Sequence, residues 1–292
     1  MRTDDDHGFF HVCTNGTVLP WMFKDNEDFI YGMNRIGICH LLTGITVLVF
    51  TLMDNHVHFI LYGTREKCRM FIDKYKLLTG KWIFHKYGLP KYQKHLPISI
   101  IPLKAEEDIL ETAAYIDRNA IMGGFPGMPY EYPWSSCRFM FRTAEDIKVR
   151  WNLIKDFTDN ELRGILKSRI SLPEDWTFDD NRMLNPMHFT DIRKMESLFK
   201  SPARYLYFLV KKLEGKINQT LEQDDRPFVS DKDLREITAG IALRRFGSKD
   251  IRTLNVNSRL LIARQLKHDY ASSTKQLSRM LHLDAATLKD FI

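Results

Sequence analysis

His56-Val57-His58 places two imidazoles two residues apart inside a run, His56 to Tyr62, of β-branched and aromatic residues. In a strand successive side chains alternate faces, so both rings leave the same side of the sheet, about 7 Å apart along the chain. Two neutral imidazoles at that spacing can hold one divalent cation; equally, they can be two histidines buried in a polar patch. A second pair lies in Tyr115-Ile116-Asp117-Arg118-Asn119. The i, i+4 spacing stacks Tyr115 and Asn119 on one helix face, where an amide carbonyl can complete a cation site and a phenol beside positive charge can serve as a nucleophile. The alternative is a tyrosine packed with its hydroxyl on a polar neighbour.

Those residues need a scaffold, and the pattern predicts one. Phe9 to Thr14 reads as a strand stopped by Asn15-Gly16, and Asn26 to Leu42 as a helix with acidic residues at its start. Ile45 to Leu52 and His56 to Tyr62 form a hairpin across Met53-Asp54-Asn55, Arg65 to Tyr87 is a long amphipathic helix ended by Gly88, Leu96 to Pro102 a strand, and Glu106 to Met122 a helix whose inward stripe is Ile109, Ala113, Ile116 and Ala120. The order β-α-β-β-α-β-α predicts an α+β protein with a ferredoxin-like, split βαβ sheet.

Composition narrows the class. The chain has 292 residues, 44% hydrophobic and 27% charged, enough for one large core or several smaller ones and too apolar for a disordered chain. Its longest apolar run, Leu41 to Met53, is too short and too polar to span a bilayer, and Met1 to His7 carries three aspartates where a secretory leader would be basic and apolar. The expectation is a soluble, cytoplasmic protein with no membrane partner. Cys13, Cys39, Cys68 and Cys137 lack CxxC spacing, which predicts reduced, buried thiols.

The net charge of +6 resides in residues 226–292, with 13 basic and 7 acidic side chains, while residues 65–104 carry a local +8. Lys74, Lys76, Lys81, Lys86, Lys91 and Lys94 are interleaved with Tyr75, Trp82, Tyr87 and Tyr92. Lysines can follow a phosphate backbone while aromatic faces stack on unpaired bases; the same pattern also fits a solvated helix face. Ser273-Thr274-Lys275-Gln276 is a capping box opening Thr274 to Leu281, and Asp284 caps a second short helix. This pair reads either as a helix-turn-helix whose exposed Lys275, Thr287 and Lys289 face DNA or as a packing hairpin.

Four segments taken together, Phe10-His11-Val12, Leu52 to Leu61, Tyr115 to Asn119 and Tyr132-Pro133-Trp134-Ser135-Ser136, resemble the single-tyrosine HUH endonucleases, the IS200-like and REP-associated transposases, in order and approximate spacing over residues 8–138. The resemblance implies that His56 and His58 are metal ligands, that Asn119 is a polar third ligand, and that Tyr115 attacks a DNA phosphate with Mg²⁺ or Mn²⁺ as cofactor. The partner implied is single-stranded, hairpin-containing DNA of a mobile or repeat element. Coordinated cleavage of two ends by one tyrosine per chain makes a homodimer an expectation. A catalytically silent nucleic-acid-binding regulator with the same fold is the alternative. Asp54 and Ala120 stand where the family usually has proline, Asn15-Gly16 replaces an arginine often found after the first strand, and His11 is expected to be structural. The expected organisation is a nuclease domain at 1–142, a helical middle region at 143–225 and a basic helical domain at 226–292.

Overall fold

A computed structural model describes residues 7–16, 21–88, 96–211, 229, 231–270 and 272–291. The first part of the chain runs β1 (Gly8–Thr14), α1 (Asn26–Thr43), β2 (Thr46–Met53), β3 (His56–Gly63), α2 (Arg65–Tyr87), β4 (Ile98–Leu103) and α3 (Glu106–Gly123). The protein is α+β, with a four-stranded sheet in the order β2-β3-β1-β4 and every neighbouring pair antiparallel. Local signals set the helix limits. Asp25 and Thr64 cap the starts of α1 and α2 through side-chain oxygens, and Gly44 and Gly88 end them at φ 61° and 65°, where a residue with a Cβ is disfavoured.

Alternation along β3 gives the sheet two different faces. Val57, Phe59 and Leu61 join Phe71, Ile72 and Tyr75 of α2 and Met33 and Ile36 of α1 in one core. Ile60 joins Ile109, Leu110, Ala113 and Ile116 of α3 in another. An irregularity between Val47 and Val49 shifts the β2 register, so that Leu48 and Val49 both belong to the α3 core while Val47 and Phe50 belong to the other.

β2 is an edge strand, and two segments cover it. Leu52 N–H donates to the Trp134 carbonyl at 2.9 Å, Thr51 and Ser135 hydroxyls meet at 2.9 Å, and Tyr132 donates to the Leu52 carbonyl at 2.8 Å. Further along, Asp191 N–H donates to the Val47 carbonyl at 2.8 Å. The Tyr-Pro-Trp-Ser-Ser motif therefore closes a strand edge that would otherwise pair with another chain, and Trp134 stacks on Phe29 at 4.9 Å rather than standing free for a base.

The middle of the chain departs from expectation. It holds α4 (Ala144–Ile147), α5 (Asp159–Leu166), α6 (Ile192–Phe199) and α7 (Pro202–Val210), but also the strand pair β5 (Asn152–Leu153) and β6 (Thr177–Phe178). Leu166, Trp176, Phe178, Leu184 and Phe189 complete the core on the α1 side, and Ile192, Met195, Phe199, Tyr205 and Phe208 complete the core over α3. Residues 143–211 are thus built onto the sheet, their apolar residues packing on one another and on those of α1 and α3 in the same two cores.

Beyond them α8 (Asp231–Phe246), α9 (Val256–Tyr270), α10 (Thr274–Leu281) and α11 (Ala285–Phe291) enclose their own core of Leu234, Ile241, Leu260, Ile262, Leu266, Leu277, Leu281 and Leu288. The Ser273/Gln276 capping box is formed. Among the described residues no helix is long and apolar enough to cross a membrane.

Candidate active site

At one end of the α3-covered face the apolar core gives way to polar side chains. β3 contributes His56 and His58, both buried. The register pairs Cys13 of β1 with His58 and His11 with Ile60, which puts His11 and Cys13 on the same face as the β3 histidines. Tyr115 of α3 lies edge-on to them, its ring centroid 5.5 Å from that of His58 and 6.1 Å from that of His11. His56, His58, Tyr115 and Asn119 line one cavity of about 690 Å³. Three elements far apart in sequence therefore converge where the spacing put two candidate pairs.

Both β3 imidazoles are held at Nδ1. His56 Nδ1 is 2.7 Å from Asn55 Oδ1, and Asn55 in turn donates to the Gly16 carbonyl at 2.6 Å. An amide oxygen only accepts, so His56 carries its hydrogen on Nδ1 and keeps a bare lone pair on Nε2. Gly16 is required by this packing: a Cβ there would fall 2.8 Å from His56 Nδ1. His58 Nδ1 meets His11 Nε2 at 3.0 Å. Burial keeps all three rings neutral, lowering His11 to about 4 and His56 to about 3, the latter helped by Arg279 and Arg235, and, with His56 and His11 adding to the effect, holding His58 well below the ordinary range.

Neutral imidazoles are the form that can ligate a divalent cation, and His56, His58 and Asn119 are the residues of this set that could hold one. Asn119 Nδ2 donates to the Tyr115 carbonyl at 2.9 Å, so its amide oxygen is the end left to ligate. Burial raises the Tyr115 hydroxyl above its usual range, with Cys13 adding to the effect and Asn119, Arg279 and Arg118 opposing it. The phenol is therefore protonated in the free site and needs added positive charge to ionise.

Several residues that line this site were not among the candidate site residues. Ser273, Thr274 and Arg279 from the start and middle of α10 line the cavity, and Arg279 is held by Asp231 at 2.7 Å. Arg118 also lines it and donates to the Phe208 and Leu209 carbonyls at 2.6 and 3.2 Å. Next to it Asp117 is buried, accepts from the Tyr205 hydroxyl at 2.7 Å, and is pushed up to about 7 by burial. The alternating His11-Val12-Cys13 in β1 is the signal that could have placed a thiol here; the i, i+2 rule used for His56 and His58 applies to it equally.

The basic block is arranged otherwise than the charge pattern suggested. α2 packs on the opposite face of the sheet from α3, so Lys74 and Lys81 lie on the helix remote from Tyr115. Lys76 is buried and donates to the Leu96 carbonyl at 2.6 Å. Lys86 is engaged by Asp25, Glu27 and Asp28 at 2.8 to 2.9 Å, because the acidic start of α1 faces the end of α2. Trp82 donates to Asp28 and stacks on Tyr31, another packing role. Thr287 is tied to Asp284, its hydroxyl and N–H serving the start of α11. Lys91 and Lys94 lie outside the described residues, as do the side chains of Lys275 and Lys289.

Comparison with protein-family models, with curated proteins and with solved structures finds no match to this chain.

Proposed function

We propose that the protein is a metal-dependent single-stranded DNA endonuclease and strand transferase of the HUH type, with Tyr115 as nucleophile. The observation that carries this reading is the meeting of His56, His58, Tyr115 and Asn119 in one open cavity. The strand order β2-β3-β1-β4 with helices in the βαββαβ positions supports a ferredoxin-like arrangement of that family's kind. His56 and His58 would bind Mg²⁺ or Mn²⁺ together with the Asn119 carbonyl. When bound, the ion polarises the phosphoryl oxygens and offsets charge developing in transfer.

Tyr115 Oη attacks the scissile phosphorus. Its bond to phosphorus forms as the bond to the 3′ oxygen breaks, leaving a 5′-phosphotyrosine and a free 3′-hydroxyl, while the phenolic proton passes to the departing oxygen through solvent in the cavity. The phosphodiester energy is retained, so the 3′-hydroxyl of a second strand can reverse the step without ATP. Arg279 and Arg118 supply fixed positive charge around the phosphate. The substrate is hairpin-containing DNA of a mobile or repeat element, and two chains acting together would serve its two ends.

The experiment is denaturing electrophoresis after incubating the full chain with labelled single-stranded hairpin DNA from the flanks of its own gene, with Mn²⁺, Mg²⁺ or EDTA. A metal-dependent shifted band that disappears in Tyr115→Phe and His56→Ala is expected. Adduct that survives Tyr115→Phe removes that residue from the role. Binding without any adduct favours the silent regulator.

A further inference from the structure

We propose that His11, Cys13 and His58 form a binding site for a thiophilic divalent cation, Zn²⁺ above all, whose donor set differs from the His56/His58/Asn119 set. The inference goes beyond the nuclease reading and does not rest on it. Among the described residues these three form the one cluster of histidine, cysteine and carboxylate side chains whose ligand atoms all lie within 4.8 Å of one another. Antiparallel pairing produces it: Cys13 is directly opposite His58, and His11 sits two residues before Cys13 on the same face.

The nitrogen–nitrogen separation is close to the one a tetrahedral ion requires. With Zn–N bonds of roughly 2.0–2.1 Å and a Zn–S bond of roughly 2.3 Å, tetrahedral angles separate two nitrogens by about 3.3 Å and a nitrogen from sulfur by about 3.5 Å. His11 Nε2 and His58 Nδ1 already stand 3.0 Å apart. The rings are stacked at 18° with centroids 5.2 Å apart; a bound ion would widen the nitrogen pair by a few tenths of an ångström and turn each lone pair from the neighbouring ring toward the metal. Three protein ligands leave a fourth position, and the site borders the cavity through Cys13 and His58. That is the coordination number of an open zinc site rather than a closed structural one.

Ligand chemistry selects the ion. A thiolate is a poor partner for Mg²⁺ and a strong one for Zn²⁺ or Co²⁺. On binding, the Cys13 thiol proton leaves to solvent and the sulfur pair forms the metal bond. The hydrogen between the two rings moves to the outer nitrogen of its own ring, and both imidazoles stay neutral. Cys39, Cys68 and Cys137 are fully buried, whereas Cys13 is only partly covered, so it is the thiol that an ion from solvent reaches.

The test titrates the reduced, chelator-treated full chain with Co²⁺ and records the thiolate-to-cobalt charge-transfer band in the near ultraviolet. The expected result is a band that saturates at one ion per chain, is bleached by Zn²⁺ and untouched by Mg²⁺, survives His56→Ala, and is lost in Cys13→Ser. His11→Ala should weaken Co²⁺ binding about tenfold or more. A band that persists in Cys13→Ser, or Co²⁺ binding without a band, overturns the proposal. An independent reading on the unaltered protein is alkylation by iodoacetamide mapped to peptides: Zn²⁺ should slow labelling of Cys13, and undiminished labelling in saturating Zn²⁺ also overturns it. Neither readout involves DNA, so failure here and failure of the nuclease reading are separable.

Discussion

Asp54, in the two-residue turn that leads into the histidine strand, accepts from Arg235 of α8 at 3.0 Å across 181 residues of chain. Where the resemblance led one to expect proline, a carboxylate instead anchors the C-terminal helical unit beside His56. With Arg279 bound to Asp231 at 2.7 Å and lining the cavity, the unit forms part of the wall around Tyr115.

The Asp54–Arg235 pair is about three-quarters buried on both sides, so breaking it leaves a largely desolvated charge. Arg235→Ala should destabilise the folded chain by about 1–3 kcal/mol. A double-mutant cycle with Asp54→Asn, read by urea denaturation, should return a coupling of about 1 kcal/mol or more. Strict additivity would mean that the pair does not hold the unit.

Asn55 fixes the His56 tautomer, and outer partners of this kind typically contribute 10- to 100-fold in metal affinity. Asn55→Ala should therefore weaken Mn²⁺ binding about 10-fold or more by calorimetric titration while the far-ultraviolet circular dichroism is kept. Unchanged affinity would show that the amide does not orient the ring.

Arg279 brings positive charge to the cavity from outside the sheet. If it meets a DNA phosphate, Arg279→Gln should lower single-strand affinity and reduce the slope of log K against log salt by about 0.7, the share of one phosphate contact. A lower affinity with the slope intact would assign Arg279 to holding Asp231 alone.

Asp117 should make stability depend on pH. Its folded pKa is raised from 3.8 to about 7, so between those values the folded chain holds a proton that the unfolded chain has lost. Its contribution is complete below the unfolded value, falls as pH rises, and is gone above about 7, an upper figure of about 4 kcal/mol. The depressed histidines act in the opposite sense, favouring the folded state as pH rises toward 6.5. Asp117→Asn keeps an acceptor for Tyr205 and cannot ionise. Unfolding curves of the two proteins should therefore diverge from about pH 4 to about pH 8, the wild type losing ground; parallel curves would mean that Asp117 is not so shifted.

Much of the scaffold was legible in the chain. The bounds of the helices at Arg65–Tyr87 and Thr274–Leu281 agree with the caps read from Gly88 and Ser273, and the hairpin at Asp54-Asn55 lies where the turn residues put it. The lysines of α2 show where charge content stops being informative. Charge content says how many cations a helix carries, but Lys76 and Lys86 are committed by the Leu96 carbonyl and the acidic start of α1, which come from other elements. The middle region shows the same limit: its apolar pattern does not reveal whose core it completes.

Periodicity and capping act over two to four residues, and they sufficed to place His56 with His58, Tyr115 with Asn119 and the ends of the helices that carry them. Which pairs meet was decided by burial of apolar surface between elements distant in sequence. That burial sets β1 beside β3 and so brings His11 and Cys13 to His58; it also seats α10 against the cavity, so that Arg279 becomes part of a wall no local pattern could have drawn.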